Sequence, residues 1–563
     1  MSGPPALSVV VATTGRQTWR RTVDSLRNSA AAGQAATEIL LVWQAPDHPP
    51  VSAELRVLDV IPVSLSYARN CGLAESQGDF VAFVDDDEVV EEGYVRGVLR
   101  AFATSPHPEA IFGAVLPLDG NGVPYCMTEG EQREIFRGRR APWRVGTGGN
   151  MAFRRSALVR AAGFDVHMGV ASPGRSGEDT EIILRFLRSG STVVFDPDVV
   201  VRHPKKTEAE ALASRQPYGF GTGRLARRNR DVKVAAQYSS SLALAFLAAQ
   251  RTGSARRRLE TWKTLQGFAV GVLAPGRWMS PVRILDRMPQ ETGRLLPAEL
   301  APLPVRFAGQ PHFRFRAGGR VLHVHDHPDP ALLQAYELRE RLRGQGLAGV
   351  PRLHGARMDR NALWVVEDFV AGRPPRLGTA EQWLPSVSRW ALQLSCHQGS
   401  PIGESPMWPK QRERVLGHIA PGLRKTVARA LDDVAACPST AVHGSLHRRN
   451  VLLTGEGFRV GGWEHAQSGG LPGQDLLLLH ASARSGQPDA RLLAAVVLDP
   501  GHPLGVDLQA AGLPGEVRMA GVLAASALWA AREAAAAAAL GSRTGSSSFT
   551  FGPLLERLAR TLA

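Results

Sequence analysis

Three short apolar runs set the terms for the first third of the chain: LSVVVA (Leu7–Ala12), EILLVW (Glu38–Trp43) and FVAFV (Phe80–Val84). Segments of helical spacing, Thr18–Ser29 and Ala68–Ser76, separate them. A strand that is apolar along its whole length is buried on both faces, so this alternation predicts an α/β unit: a mostly parallel sheet with helices on both sides. Ligands of such sheets bind beyond the carboxyl ends of the strands, which makes the polar residues directly after each run the candidates for chemistry. At 563 residues the chain is also too long for one ordinary domain.

Composition narrows the class. Hydrophobic residues at 44% and charged residues at 21% exclude wholesale disorder and fibrous repeats. Lys and Arg number 66 against 52 Asp and Glu, a net charge of +14 that suits polyanionic partners such as anionic lipid or a nucleoside diphosphate. Nucleic acid is disfavoured, because aromatics are only 6% and do not interleave with the basic residues. The four cysteines form no CxxC pair, which points to a reducing, cytoplasmic setting. The N-terminus does not read as a signal peptide, and no run of apolar residues is long enough to span a bilayer.

The sharpest local feature is FVAFVDDDEVV, where an apolar strand ends and Asp85, Asp86 and Asp87 follow at once. Alternation along extended backbone puts Asp85 and Asp87 on one side. Two carboxylates so placed can share a hard divalent cation, Mg²⁺ or Mn²⁺, with phosphate oxygens and water. Taken alone, the triplet reads as a solvated acidic turn. Glu178 and Asp179 open a helix, where negative charge is stabilised as a cap, and an isolated His203 reads as a surface histidine.

Order adds what single motifs lack. SVVVATTGR, ARNCG, the acidic triplet, GGN, GEDTE and a closing VVRH follow one another over residues 7–205. This layout resembles glycosyltransferase family 2, inverting nucleotide-sugar transferases of GT-A fold. The resemblance implies a nucleotide-diphosphate sugar donor, a hydroxyl acceptor (a glycan, a lipid-linked sugar or a small molecule) and a divalent cation. Carried over by position, Thr13, Thr14, Arg16, Gln44, Arg69, Asn70, Asp85, Asp86, Gly149 and Asn150 fall to the nucleotide sugar. Asp87 and His203 fall to the metal, Asp179 to the general base, and Glu178 to the acceptor site beside it. Family members often carry Asp-Asp where this chain reads Trp43-Gln44, which leaves the base open. Arg137, Arg139, Arg140 and Arg144 suit either an anionic acceptor or a solvated loop.

Residues 206–304 form a basic extension and linker. Its apolar stretches Ser241–Ala249 and Leu265–Ala274 are too short to span a bilayer; they suit an anionic membrane face or a helical pair packed on the first domain. Residues 305–563 make a second unit. Its stretch AVHGSLHRRNVLLTGEGFRVGGWE (441–464) resembles the aminoglycoside phosphotransferase and choline kinase family, of α+β protein-kinase-like fold. His443 and Asn450 keep that pattern, but Ser445 and Gly462 stand where it has aspartates, and His323 where a phosphate-holding lysine is expected. Phosphoryl transfer needs those charges, so the resemblance implies a pseudokinase. The competing expectations are a small-molecule phosphotransferase and a scaffold in which both halves only bind.

Overall fold

The computed structural model describes residues 5–45, 55–60, 64–118, 120–138, 141–228, 232–274, 285, 287–296, 300–303, 312–326, 328, 330–359, 362–372, 374–375, 378–396, 398–405, 408–483, 489–539 and 551–562. The stretch Gly541–Ser548, Arg139 and Arg140, and half of residues 275–304 lie outside the described residues.

The first unit runs β1 (Leu7–Thr13), α1 (Trp19–Gly33), β2 (Thr37–Trp43), β3 (Arg56–Asp59), α2 (Leu65–Glu75), β4 (Phe80–Asp85), β5 (Val89–Val90), α3 (Tyr94–Ala103), β6 (Ala110–Pro117), β7 (Glu134–Phe136), β8 (Asn150–Arg154), α4 (Arg155–Arg160), α5 (Glu178–Arg188) and β9 (Val193–His203). The three predicted runs become β1, β2 and β4, with β1 central: Val10 pairs in parallel with Leu40 and with Phe83. Side-chain parity explains why these runs are apolar throughout. Val9 and Val11 enter one core with Trp19, Leu26, Val95 and Phe102 of α1 and α3. Val10 enters another with Tyr67, Ile182 and Phe186 of α2 and α5.

The sheet order is β3-β2-β1-β4-β8-β6-β9-β5, with β7 on β9. It corrects the expected mostly parallel sheet to a mixed one. β8 follows a turn rather than a crossover helix and runs antiparallel between β4 and β6 (Val84 opposite Asn150). A short strand entering from the opposite end carries no local mark of its direction.

Three helices follow: α6 (Glu208–Arg228), α7 (Val232–Arg251) and α8 (Ala255–Leu273). Helices α6 and α8 meet backbone to backbone through glycines. A Cβ on Gly219 would lie 1.9 Å from the Thr264 carbonyl oxygen, and one on Gly271 2.2 Å from that of Phe220. Helix α6 also supports the loop that leads into α5, because Ser176 Oγ donates to the Pro217 carbonyl at 2.8 Å.

The second unit contains an antiparallel sheet: β10 (Ala301–Leu303), β11 (His312–Ala317), β12 (Arg320–Asp326), β13 (Leu353–Met358) and β14 (Ala362–Asp368), in the order β10-β11-β12-β14-β13. A hairpin at Gly318-Gly319 joins β11 and β12. Strand β10 lies on the linker side of the expected boundary at 305 yet pairs with β11. A helix at Pro330–Gly344 sits between β12 and β13, and the rest is mainly helical around a core that includes Trp383, Trp390, Trp463 and Leu477. One face of this sheet (Phe315, Leu322, Val324, Trp364, Val366) belongs to the same apolar cluster as Val10 and Phe83 of the first sheet. Among the described residues no helix is long and apolar enough to cross a membrane.

Candidate active site

Exposure alternates after β4: Asp85 and Asp87 are partly exposed, while Asp86 and Glu88 are buried. Asp85 and Asp87 therefore look out from the strand end. Asp86 turns inward, where its carboxylate accepts from Thr13 Oγ1 at 2.6 Å and from Arg16 Nη2 at 2.7 Å. Burial pushes the Asp86 carboxyl up to about 6, against the pull of Thr13 and Arg16. Asp86, expected at the nucleotide sugar, ties β4 to the loop after β1. Arg16 also reaches Asp87 Oδ2 at 3.1 Å, and Thr14 is exposed beside it. Gly15 has φ +90°, and a Cβ there would lie 2.8 Å from Ala45 Cβ, so this turn admits little else.

The guanidinium of Arg69, 2% exposed, is the hub. It donates to Asp85 Oδ1 at 2.9 Å, to Glu178 Oε1 at 3.0 Å and to the Gly148 carbonyl at 2.9 Å. Gly148 N–H in turn donates to Asp179 Oδ2 at 3.0 Å, and Thr180 N–H to Asp179 Oδ1 at 2.6 Å. The acidic triplet, the GGN turn and the start of α5 thus converge, although they are about a hundred residues apart in sequence (Arg69 to Glu178, |i−j| = 109). Burial, then the charge of Asp179, pushes the Glu178 carboxyl up to about 7, while Arg69 opposes the rise. Arg69, expected at the nucleotide sugar, stands as a clamp between the two carboxylates.

Glu88 was not singled out by sequence and sits beneath this arrangement. Its Oε2 accepts from the Asp85 N–H at 3.1 Å, and its Oε1 is buried without a hydrogen-bond partner. Burial, then the charge of Asp85, raises its carboxyl well above the ordinary range. Gly149 packs on it, since a Cβ there would lie 2.1 Å from Glu88 Oε1. That contact accounts for the second glycine of GGN.

The two asparagines expected at the ligand both bind backbone groups. Asn70 exchanges two hydrogen bonds of 2.8 Å with the Phe164 backbone. Asn150 donates to the Ala114 and Val199 carbonyls, each at 2.8 Å. Gln44 is buried, and its backbone N–H donates to the Thr13 carbonyl. His203 is also buried, at the end of β9; its Nδ1–H donates to the Pro204 carbonyl at 2.7 Å, which leaves Nε2 as the nitrogen that a metal would use. The pairing of Val89 with Arg202 puts His203 one position beyond the ladder, on the triplet's side.

Tyr125, next to His203, stacks on Tyr218 of α6 with centroids 5.9 Å apart, and Lys206 Nζ stands 3.9 Å over its ring. Cys126 Sγ lies 3.3 Å from Tyr218 Oη. Its thiol is pushed up to about 11, by burial first and, less strongly, by the charges of Asp179 and Asp85. This aromatic wall therefore stands within electrostatic reach of the same carboxylates. A PYC tripeptide in a loop gives no periodic signal that would have marked it.

Among the described residues no group of three or more His, Cys, Asp and Glu could hold a metal ion by itself. The donor set of Asp85 and Asp87 fits a cation shared with a diphosphate, since Mg²⁺ and Mn²⁺ commonly take one or two carboxylates and complete their shell with phosphate and water.

In the second unit His443, Ser445, Asn450 and Gly462 do come together. Asp475 accepts from the His443 and Gly444 N–H groups at 2.6 and 2.9 Å, and Asn450 Nδ2 donates to the Ser445 carbonyl at 2.6 Å. Gly462 has φ +79°, and a Cβ there would lie 2.8 Å from Asn450 Oδ1. His323 is buried on β12, its Nε2 2.8 Å from Glu367 Oε1, and Glu367 also pairs with Arg339.

Residues 60–160 match the family described as glycosyl transferase family 2. The succinoglycan biosynthesis protein ExoM of Rhizobium meliloti is 31% identical over 156 residues, 27% of this chain and 48% of that protein. The pre-mycofactocin glycosyltransferase of Mycobacterium tuberculosis is 27% identical over 188 residues, 32% of this chain and 38% of that protein. The chain thus spans about half or less of the length of these relatives. Among solved structures, the mannosyltransferase PcManGT from Pyrobaculum calidifontis in complex with GDP-Man and Mn²⁺ aligns at 16% identity and TM-score 0.34, covering 48% of this chain and 88% of that one. With β4, the acidic triplet and the GGN turn all inside the matched span, residues 60–160 are a glycosyl transferase family 2 domain.

Proposed function

We propose that the first unit transfers a sugar from a nucleotide-diphosphate donor to a hydroxyl acceptor with inversion at the anomeric carbon. The observation that supports this reading is the Arg69–Gly148 bridge, which links Asp85 to the Glu178-Asp179 pair; the Asp85 end is read as the diphosphate side and the Asp179 end as the base side. On the diphosphate side, Asp87 would hold a divalent cation, with Asp85 and His203 beside it. When bound, that cation neutralises charge developing on the leaving diphosphate. Asp179 takes the proton of the acceptor hydroxyl as its oxygen bonds to C1 and the bond from C1 to the diphosphate oxygen breaks on the opposite face. The two backbone N–H groups on Asp179 hold the carboxylate in place while leaving it partly exposed. Glu178 and Arg69 act through it as positioning residues. The stacked tyrosines Tyr125 and Tyr218 suit the flat face of a sugar ring on the acceptor side.

For the second unit, a protein-kinase-like fold without phosphoryl transfer is the reading best supported by the absence of a carboxylate at Ser445 and Gly462. Its sheet order, the helix after its third strand and the helical remainder fit that reading. The test is a thermal-shift panel of nucleoside diphosphates and their sugars with and without Mn²⁺, followed by turnover with the donor that binds. Asp179→Asn is expected to keep the melting temperature and lose activity by roughly 10²–10⁴-fold. Full turnover by a folded Asp179→Asn protein would refute the base assignment.

A further inference from the structure

We infer that the α7–α8 hairpin is a docking surface for an anionic lipid bilayer. The inner face of α8 is consumed by the glycine-mediated contact with α6, where Gly267 and Gly271 lie on the Gln216 and Phe220 carbonyls. Its outer face repeats apolar residues at helical spacing: Leu259, Trp262, Val270 and Leu273. On α7, Leu244 and Leu247 are exposed in the same way. Leu244 is 67% exposed, Trp262 50% and Leu273 76%, unusual values for side chains of this size. Counting back from the turn at Thr252–Ser254, Leu247 stands level with Leu259 and Leu244 with Trp262, so an apolar band crosses both helices.

Charge decides the occupant. From Val232 to Ala274 the basic residues are Lys233, Arg251, Arg256, Arg257, Arg258 and Lys263, and the only acid is Glu260, a net of 6 − 1 = +5. Glu260 is already committed to Arg215 and Arg256. Arg251 and Arg256 to Arg258 flank the turn, within about one helical turn of Leu247 and Leu259. A core-forming partner would bury this cationic end at a desolvation cost; a lipid headgroup layer meets it with phosphates while the acyl boundary takes the apolar band. Tryptophan suits that boundary. Neither helix is long and apolar enough to cross, so the hairpin would lie on the membrane. Helix α6 holds both this hairpin and, through Ser176, the loop before Glu178.

This inference does not rest on sugar transfer, and its test uses no donor or turnover. The full chain is floated with vesicles of phosphatidylcholine and with vesicles containing about 30% phosphatidylglycerol, at about 0.1 M and about 0.5 M salt. Binding is expected to the anionic vesicles only, and to weaken at high salt. Arg251→Gln with Arg257→Gln and Arg258→Gln should lower partitioning on the order of 100-fold. Leu244→Glu with Trp262→Glu should lower it at least ~10-fold, with the melting temperature kept. Failure of the unmodified chain to bind anionic vesicles would overturn the proposal. So would a dimer that Leu244→Glu with Trp262→Glu splits into monomers without changing vesicle binding, since the band would then serve a second copy of the chain.

Discussion

Arg69→Met removes a guanidinium that donates to Glu178, Asp85 and the Gly148 carbonyl while keeping much of the side-chain length. Stranding one partner of a buried ion pair costs about 3–5 kcal/mol, but Glu178 has a way to reduce that cost. Its carboxyl already sits at about 7, raised by burial first and Asp179 second, with Arg69 opposing. Without Arg69 it rises further and keeps its proton. A carboxyl raised in the folded state contributes stability that is complete below its unfolded value of about 4.3 and lost as pH climbs through the folded value. At about pH 6 Glu178 is largely protonated in parent and variant alike, so the penalty is that of the lost hydrogen bonds, about 2 kcal/mol. Above about pH 7 the parent ionises against Arg69 and levels off, while the variant goes on losing about 1.4 kcal/mol per pH unit. The penalty should therefore reach about 3 kcal/mol at about pH 8. Calorimetry at the two pH values resolves the transition that the substitution moves, and the same pair of proteins in a Glu178→Gln background should lose the pH dependence. An equal penalty at both pH values, or a pH-dependent one that survives Glu178→Gln, would refute the clamp.

Other perturbations test the neighbouring parts. Gly149→Ala drives a methyl group into Glu88 Oε1 and should destabilise by about 1–3 kcal/mol, seen as a lowered melting temperature. Asp87→Ala should keep the fold and abolish the Mn²⁺-dependent part of the thermal shift given by nucleoside diphosphates; an undiminished Mn²⁺ effect would move the cation elsewhere. Installing Ser445→Asp with Gly462→Asp should not produce ATP turnover, because position 462 has φ +79° and its new side chain meets Asn450. A lowered melting temperature without ATPase activity is the expected result.

The strands of the first unit were legible because burial on both faces leaves an unbroken apolar run, as in Leu7–Ala12, whose parity feeds two cores. The outward pair Asp85 and Asp87 was anticipated from strand alternation, but β4 ends at Asp85, and a turn closed by the Glu88 N–H on the Asp85 carbonyl continues the alternation of exposure. What local pattern cannot carry is contact across long separations. Arg69 looks like any helical arginine until the turn at Gly148 and the start of α5 close around it. Asn70 on a predicted helix and Asn150 after a tight turn carry no local mark of a partner, and only the fold reveals that their amides serve the backbone of Phe164, Ala114 and Val199. Glu88, one residue past the triplet, was hidden because nothing local says that Gly149 will seal it from water.

The apolar cluster shared by the two sheets has a practical corollary for anyone dissecting this chain. Phe315, Leu322, Trp364 and Val366 lie in one contiguous cluster with Val10 and Phe83, with Met288, Leu295 and Leu296 packed against it. Cutting the polypeptide after β9 would leave an oily scar on the amino-terminal fragment, so a truncated version that precipitates would reveal a lost lining and nothing about catalysis. Dissection is better done by point substitutions that leave that seam shut.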